Sequence, residues 1–279
     1  APRRPRWRRH LVATTFIAAI ASLVLALAGP SRTEQVPRER ATVVLTIDTS
    51  LAMGAEDVDP TRIDAAKAAA IAFLDDAPDT VDVGLVSYNG VPVVRVTPTD
   101  DRNIVRSAVQ ELELGEATAT GDAIFASLEA LTGVLDRAGE NPDETPAVIV
   151  LLSDGTPTVG RTVEEAVTAA IEASVPVSTV AFGTPDGVVT VPDVNNPGRT
   201  VTVPVPVDEP TLRLIANGTG GSFFTAASSD ELAAVYRDIG TTVGFEEVDR
   251  DVSDWFTGTA LVLALLTGLL SLFWFQRLP

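Results

Sequence analysis

Two stretches without a charge bracket the chain: Leu11 to Gly29, 19 residues, and Trp255 to Phe275, 21 residues. At about 1.5 Å per residue, a helix of either length crosses the roughly 30 Å hydrocarbon core of a bilayer. Trp255, Phe256, Phe273, Trp274 and Phe275 stand at the ends of the second stretch, where an aromatic belt belongs. Arg3, Arg4, Arg6, Arg8 and Arg9 precede the first stretch, and Arg277 follows the second. The positive-inside rule then assigns both ends to the cytoplasm and the middle to the outside. Ala26-Leu27-Ala28 would also suit a signal-peptide cleavage site, but the apolar run exceeds the usual 7–15 residues and favours an anchor. The predicted order is a basic arm (1–10), a membrane helix (11–29), a tether (30–40), a folded domain (41–243), a linker (244–254), a second membrane helix (255–275) and a tail (276–279).

Charge separates the middle from the ends. All 38 acidic residues and 14 of the 20 basic ones lie between Arg32 and Asp254, leaving that region at −24. Such a surface repels phosphate backbones, which argues against a nucleic-acid partner. The chain has no cysteine, one histidine (His10) and one lysine (Lys67). Thiol chemistry and Cys-ligated zinc are thereby excluded, and a single histidine directly after Arg8-Arg9 argues against a multi-His metal site and a Ser-His-Asp triad. Lys67 follows Ala65-Ala66, not a glycine loop, so no P-loop exists.

Within the middle, short β-branched runs alternate with helical patterns. Thr42–Asp48 and Ala147–Leu152 read as strands buried on both faces. Further strands are expected at 81–88, 91–97, 175–182 and 222–225. Pro92 marks the 91–97 strand as a sheet edge. Helices are expected at 60–76, 101–112, 121–138, 162–173, 210–217 and 229–239. Asp59 is the expected N-cap of the first of these, Thr120 that of the third, and Gly218 the stop of the fifth. The pattern predicts an α/β fold with a doubly wound, mostly parallel sheet. Val188 to Val205 does not fit it and reads as an inserted hairpin around Asn195-Asn196-Pro197-Gly198.

Ligands of such sheets bind outside the carboxyl ends of the strands. Three polar constellations fall there: Asp48-Thr49-Ser50, the run from Gly115 to Ala123 containing Thr118, and Ser153-Asp154-Gly155. Two carboxylates with Ser and Thr hydroxyls form an all-oxygen set suited to a hard cation such as Mg²⁺. Each residue also has a local alternative. Asp48 and Asp154 could serve as turn formers, and Ser50 could satisfy a loop amide.

At these residues the chain resembles the von Willebrand factor A domain family. That family carries a metal-ion-dependent adhesion site of pattern Asp-x-Ser-x-Ser with a distant Thr and a distant Asp. The resemblance implies metal ligation by Asp48, Ser50, Thr118 and Asp154, with Mg²⁺ (or Mn²⁺ or Ca²⁺) as the ion. Ala52 stands where the second Ser is usual, so one hydroxyl ligand is lost. DTSLAMGAEDVDPTRIDAAKAAA, TATGDAIFASLEAL and GTGGSFFTA further resemble bacterial membrane-anchored proteins of the Bat (aerotolerance) type. These place the domain between membrane helices. They are often encoded near MoxR-type AAA+ ATPases, which implies a link to a membrane assembly.

Three function classes follow. The first is a binding module whose cation takes a carboxylate from a protein partner. The second is a structural membrane subunit with a degenerate, metal-free site. The third, less favoured, is a metal-dependent hydrolase: position 50 is Ser where a phosphatase would want Asp-x-Asp, and no general base stands out.

Overall fold

A computed structural model describes residues 7–37, 40–138, 146–154, 156–192 and 199–275. Arg3, Arg4, Arg6 and Arg277, Gly155, and the turn Asn195-Asn196-Pro197-Gly198 lie outside the described residues. The chain divides into two compact units, one drawn from both ends of the sequence and one spanning Pro37–Glu246.

In the terminal unit, helix α1 (Trp7–Leu27) and helix α8 (Ser253–Phe275) are each long and apolar enough to cross a membrane. The basic arm is therefore helical from Trp7 onward. The two helices meet along small residues, with Ala19, Ser22, Ala260 and Thr267 buried. Ser22 Oγ donates to the Phe256 carbonyl at 2.9 Å, and Thr267 Oγ1 donates to Thr15 Oγ1 at 2.9 Å. Small side chains and interhelical hydrogen bonds are what hold helices together in an apolar solvent. Leu23, Val24, Leu25, Leu265 and Leu269 face outward, as do Trp255 and Phe273 at the ends of α8.

The expected tether and linker are not featureless. Strand β1 (Ser31–Pro37) pairs with strand β10 (Phe245–Asp251) in a two-stranded ribbon. The Val252 amide closes on the Pro30 carbonyl at 3.0 Å.

The larger unit contains β2 (Ala41–Asp48), α2 (Arg62–Asp76), β3 (Val81–Tyr88), β4 (Val93–Thr99), α3 (Arg102–Gln110), α4 (Thr120–Ala138), β5 (Ala147–Ser153), α5 (Val163–Glu172), β6 (Val177–Phe182), β7 (Val188–Pro192), β8 (Thr200–Pro204), α6 (Glu209–Thr219), β9 (Phe223–Ala226) and α7 (Ser229–Gly244). Its main sheet runs β4-β3-β2-β5-β6-β9, with all neighbours parallel except the edge strand β4. Alternation along β2 divides the core. Val43, Leu45 and Ile47 pack with Ala66, Ala70 and Phe73 of α2 and Tyr236 of α7. Val44 faces the other way, with Ile124 and Leu131 of α4, Ala166 of α5 and Leu212 of α6. Helices therefore cover both faces, which is why the strands read as continuous apolar runs. The inserted segment forms the antiparallel hairpin β7–β8, with Val189 opposite Val203.

Three local expectations are corrected. Helix α2 begins after Thr61, whose side chain accepts from the Asp64 amide, while Asp59 precedes a cis Pro60 outside the helix. Thr120 is the first residue of α4, not its N-cap. Helix α6 continues through Gly218 to Thr219, whose Oγ1 donates to the Ile215 carbonyl at 2.9 Å. It stops at Gly220, whose φ of 76° suits a residue without Cβ.

Candidate metal centre

Strand β2 is followed in sequence by β3 on one side of it, and β5 lies on its other side. The chain thus reverses direction across the sheet between β2 and β5, where the crevice of an open α/β sheet forms. Asp48 is the last residue of β2 and is fully buried. Asp154 follows β5, whose Leu152 lies opposite Ile47, and only 4% of it is exposed. The two carboxylates are therefore carried on adjacent strand ends.

Both oxygens of Asp48 are held. The Ser50 amide donates to Oδ1 at 2.8 Å, and Ser153 Oγ donates to Oδ2 at 2.7 Å. Asp154 Oδ1 accepts from the Thr156 amide at 3.3 Å. Ser50 Oγ is buried without a partner, which is costly for a hydroxyl unless a ligand completes it. Thr118 is buried as well, on the loop that enters α4.

Hydrogen bonds tie the three loops in a closed circuit. Ser50 bridges to Gly115, and the Gly115 amide donates to the Thr49 carbonyl at 2.8 Å. The Thr158 amide donates to the Thr118 carbonyl at 2.8 Å, while Thr158 Oγ1 accepts from the Thr118 amide at 2.8 Å. Ser153 on Asp48 closes the ring.

Burial, followed by the nearby Asp154 charge, pushes the Asp48 carboxyl up to about 7 against the pull of the Ser50 amide. Burial likewise raises Asp154, opposed by the Thr156 amide and the Arg62 charge. Burial and the Asp48 charge push the Tyr88 hydroxyl beneath them well above its ordinary range. Burial is the main reason both carboxyls favour their protons, and a positive charge placed between them would favour their charged forms.

The donor chemistry fits a hard divalent cation. Asp48 and Asp154 would supply charge, and Ser50 and Thr118 neutral oxygens. Among the described residues no three His, Cys, Asp or Glu side chains form a metal-binding group, so both hydroxyls would matter. Ala52 lies in the 3₁₀ turn Leu51–Gly54 and brings no side-chain oxygen.

Sequence reasoning missed Arg62. Its side chain is fully buried at the start of α2, forked onto Asp57 by Nε–Oδ1 and Nη2–Oδ2 bonds of 2.7 Å each. Against the cost of burial, that fork and the Thr184 amide hold Asp57 down at about 2. Thr158 was also missed. A sequence signal exists only for Ser153, adjacent to Asp154.

Residues 43–156 match the family model for the von Willebrand factor type A domain. The whole chain aligns at 41% identity with a UPF0353 protein from Mycobacterium sp. (strain KMS), covering 83% of that protein. Its fold is similar to that of an aerotolerance-related membrane protein from Bacteroides fragilis. There the TM-score is 0.56 and the identity 22%, covering 72% of this chain and 99% of that one. It is also similar to proximal thread matrix protein 1 from the mussel byssus, solved with a zinc-occupied MIDAS motif. That match has a TM-score of 0.54 and 17% identity, covering 78% of this chain and 50% of that one.

Proposed function

We propose, from the premise that this chain belongs to the UPF0353 proteins and carries a von Willebrand factor type A domain, that it is a membrane-anchored module that captures a protein partner through a divalent cation. Asp48, Ser50, Thr118 and Asp154 hold the cation, Mg²⁺ before Mn²⁺ or Ca²⁺. The cation supplies an electrophilic face for a carboxylate of the partner. This chain's own residues do the positioning: Ser153 and the Ser50 amide orient Asp48, and the Thr158 pair orients the Thr118 loop.

The observation that carries the reading is two buried carboxylates on adjacent strand ends with the buried Ser50 Oγ, which has no well-formed hydrogen bond, beside Asp48. The zinc-occupied motif of the mussel protein supports cation binding by this fold. The reading further assigns both chain ends to the cytoplasm and the acidic domain to the outside, and it leaves a MoxR-type ATPase system as the candidate assembly. Ala52 favours a second reading, a structural subunit whose site stays metal-free.

Capture from a membrane extract by the full chain, with and without chelator, separates the two. Partner recovery that falls with chelator, and with Asp154→Ala, supports the binding module. Equal recovery by wild type, variant and chelator-treated protein favours the structural subunit.

A further inference from the structure

The 3₁₀ turn Leu51–Gly54 leads away from Ser50 to a cleft of about 420 Å³, a volume within the usual range of ligand pockets. Gly54, Glu56 and Asp57 line it from the end of the turn onward, and Asp186, Val188 and Val189 line it from the root of β7. Gly54 keeps it open: a Cβ there would lie 3.0 Å from Leu114 Cδ1 and 3.9 Å from Val189 Cγ2. Leu114 and Val188 are exposed, so the cleft has apolar flanks that reach solvent.

Its three carboxylates differ in what they are free to do. Asp57 is occupied by the Arg62 fork, and the Thr184 amide and Oγ1 donate to its Oδ2 at 2.7 and 2.8 Å. Glu56 and Asp186 are exposed, and among the described residues their side chains make no hydrogen bond or ion pair. No three such groups among the described residues come together as a metal site. Apolar flanks beside an uncompensated negative rim instead fit a lysine or arginine, whose stem covers apolar surface while its charged head stays in water. Backbone bonds tie the cleft to the candidate cation site. The Met53 amide donates to the Ser50 carbonyl at 3.0 Å, and Leu114 adjoins Gly115, whose amide donates to the Thr49 carbonyl at 2.8 Å. Gly54 lies four residues beyond Ser50, about 8 Å at the roughly 2.0 Å rise of a 3₁₀ helix.

We propose that this cleft receives a lysine or arginine side chain of the protein partner whose carboxylate meets the cation. The stem lies on Leu114 and Val189, and the head stands between Glu56 and Asp186. An extended segment rises about 3.3 Å per residue, so the partner's acidic and basic residues stand about two positions apart. Charge supports this occupant. The region from Arg32 to Asp254 carries −24, which repels a purely acidic segment, and a basic residue beside the carboxylate offsets that repulsion. A second copy of the domain carries the same −24 and is a poor occupant for the same reason. The inference rests on the cation reading above and adds the chemistry that selects the partner.

The test is fluorescence anisotropy on the full chain in detergent with Mn²⁺, with calorimetry of Mn²⁺ binding alongside. The probes are labelled peptides with an Asp two residues from a Lys, in either order, and the same peptides with Ala or Glu in place of that Lys. The better Lys peptide should bind about fivefold more tightly than its Ala version, the upper end for an exposed ion pair, and the Glu version should bind more weakly than either. Glu56→Gln combined with Asp186→Asn changes two exposed side chains and should erase the Lys preference while Mn²⁺ still binds. No Lys preference in wild type, or a preference that survives in the double variant, would overturn the cleft and leave the cation reading to its own Mn²⁺ titration. Failure of both Lys peptides to bind wild type would overturn the cleft as well. A Lys preference that the double variant loses but chelator does not touch would support the cleft and overturn the cation's part in capture.

Discussion

Replacing Asp48 by Asn should stabilise the metal-free protein at neutral pH. The Asp48 carboxyl sits at about 7 in the folded chain against an ordinary 3.8. One pKa unit is worth about 1.36 kcal/mol, so ionising it in place costs roughly 4 kcal/mol. The folded pKa is the higher one, so stability is intact below about pH 4, falls as pH rises, and levels off above about 7. Asn carries no charge to bury. Its Oδ1 keeps the Ser50 amide, and its NH₂ donates to Ser153 Oγ once that hydroxyl turns round. The variant should therefore exceed chelated wild type by about 2–4 kcal/mol at pH 8, with the gap closing toward pH 4. For a unit of this size that is roughly 5–15 °C in Tm. Scanning calorimetry of the full chain in detergent with chelator measures it. Saturating Mg²⁺ should raise the Tm of wild type and leave the variant unmoved. A variant less stable than wild type at pH 8, or a gap that ignores pH, would refute the reasoning.

The same proton predicts that Mn²⁺ binding at pH 6 releases about one proton and at pH 8 far less, read by calorimetry in buffers of different ionisation enthalpy. Ala52→Ser should tighten Mn²⁺ binding modestly, by about 1 kcal/mol, because a fixed hydroxyl replaces a water's immobilisation; calorimetry with no change in affinity counts against a vacant ligand position there. Ser127→Ala leaves the buried Thr46 hydroxyl without its 2.7 Å partner and should cost about 1–3 kcal/mol in urea unfolding. Protease added to intact spheroplasts should cut between Arg32 and Asp254, and protection of that region would reverse the proposed topology.

The sheet was legible because β2 and β5 are continuous β-branched runs that suit burial on both faces, and because Asp48 and Asp154 directly follow them. Other features depend on distant partners. Arg62 opens a helix of alanines and reads as a solvated first-turn charge. Gly183 and Gly187, more than a hundred residues away, make room for it inside. Asp59 and Thr61 are both good N-caps two residues apart, and it is Thr61 that accepts from the Asp64 amide and caps the helix. The ribbon of β1 and β10 joins two polar segments from opposite ends of the chain. Neither has an apolar alternation that announces a strand.

The closed circuit of hydrogen bonds joining the Ser50, Thr118 and Thr158 loops has a kinetic consequence. Among the described residues these loops are already tied to one another, so the slow step of the proposed loading should lie in the ion's own hydration shell. Mg²⁺, which sheds water reluctantly, should enter more slowly than Ca²⁺ however similar their equilibrium affinities. The time course of occupancy would then follow the identity of the cation, with these three loops as its frame.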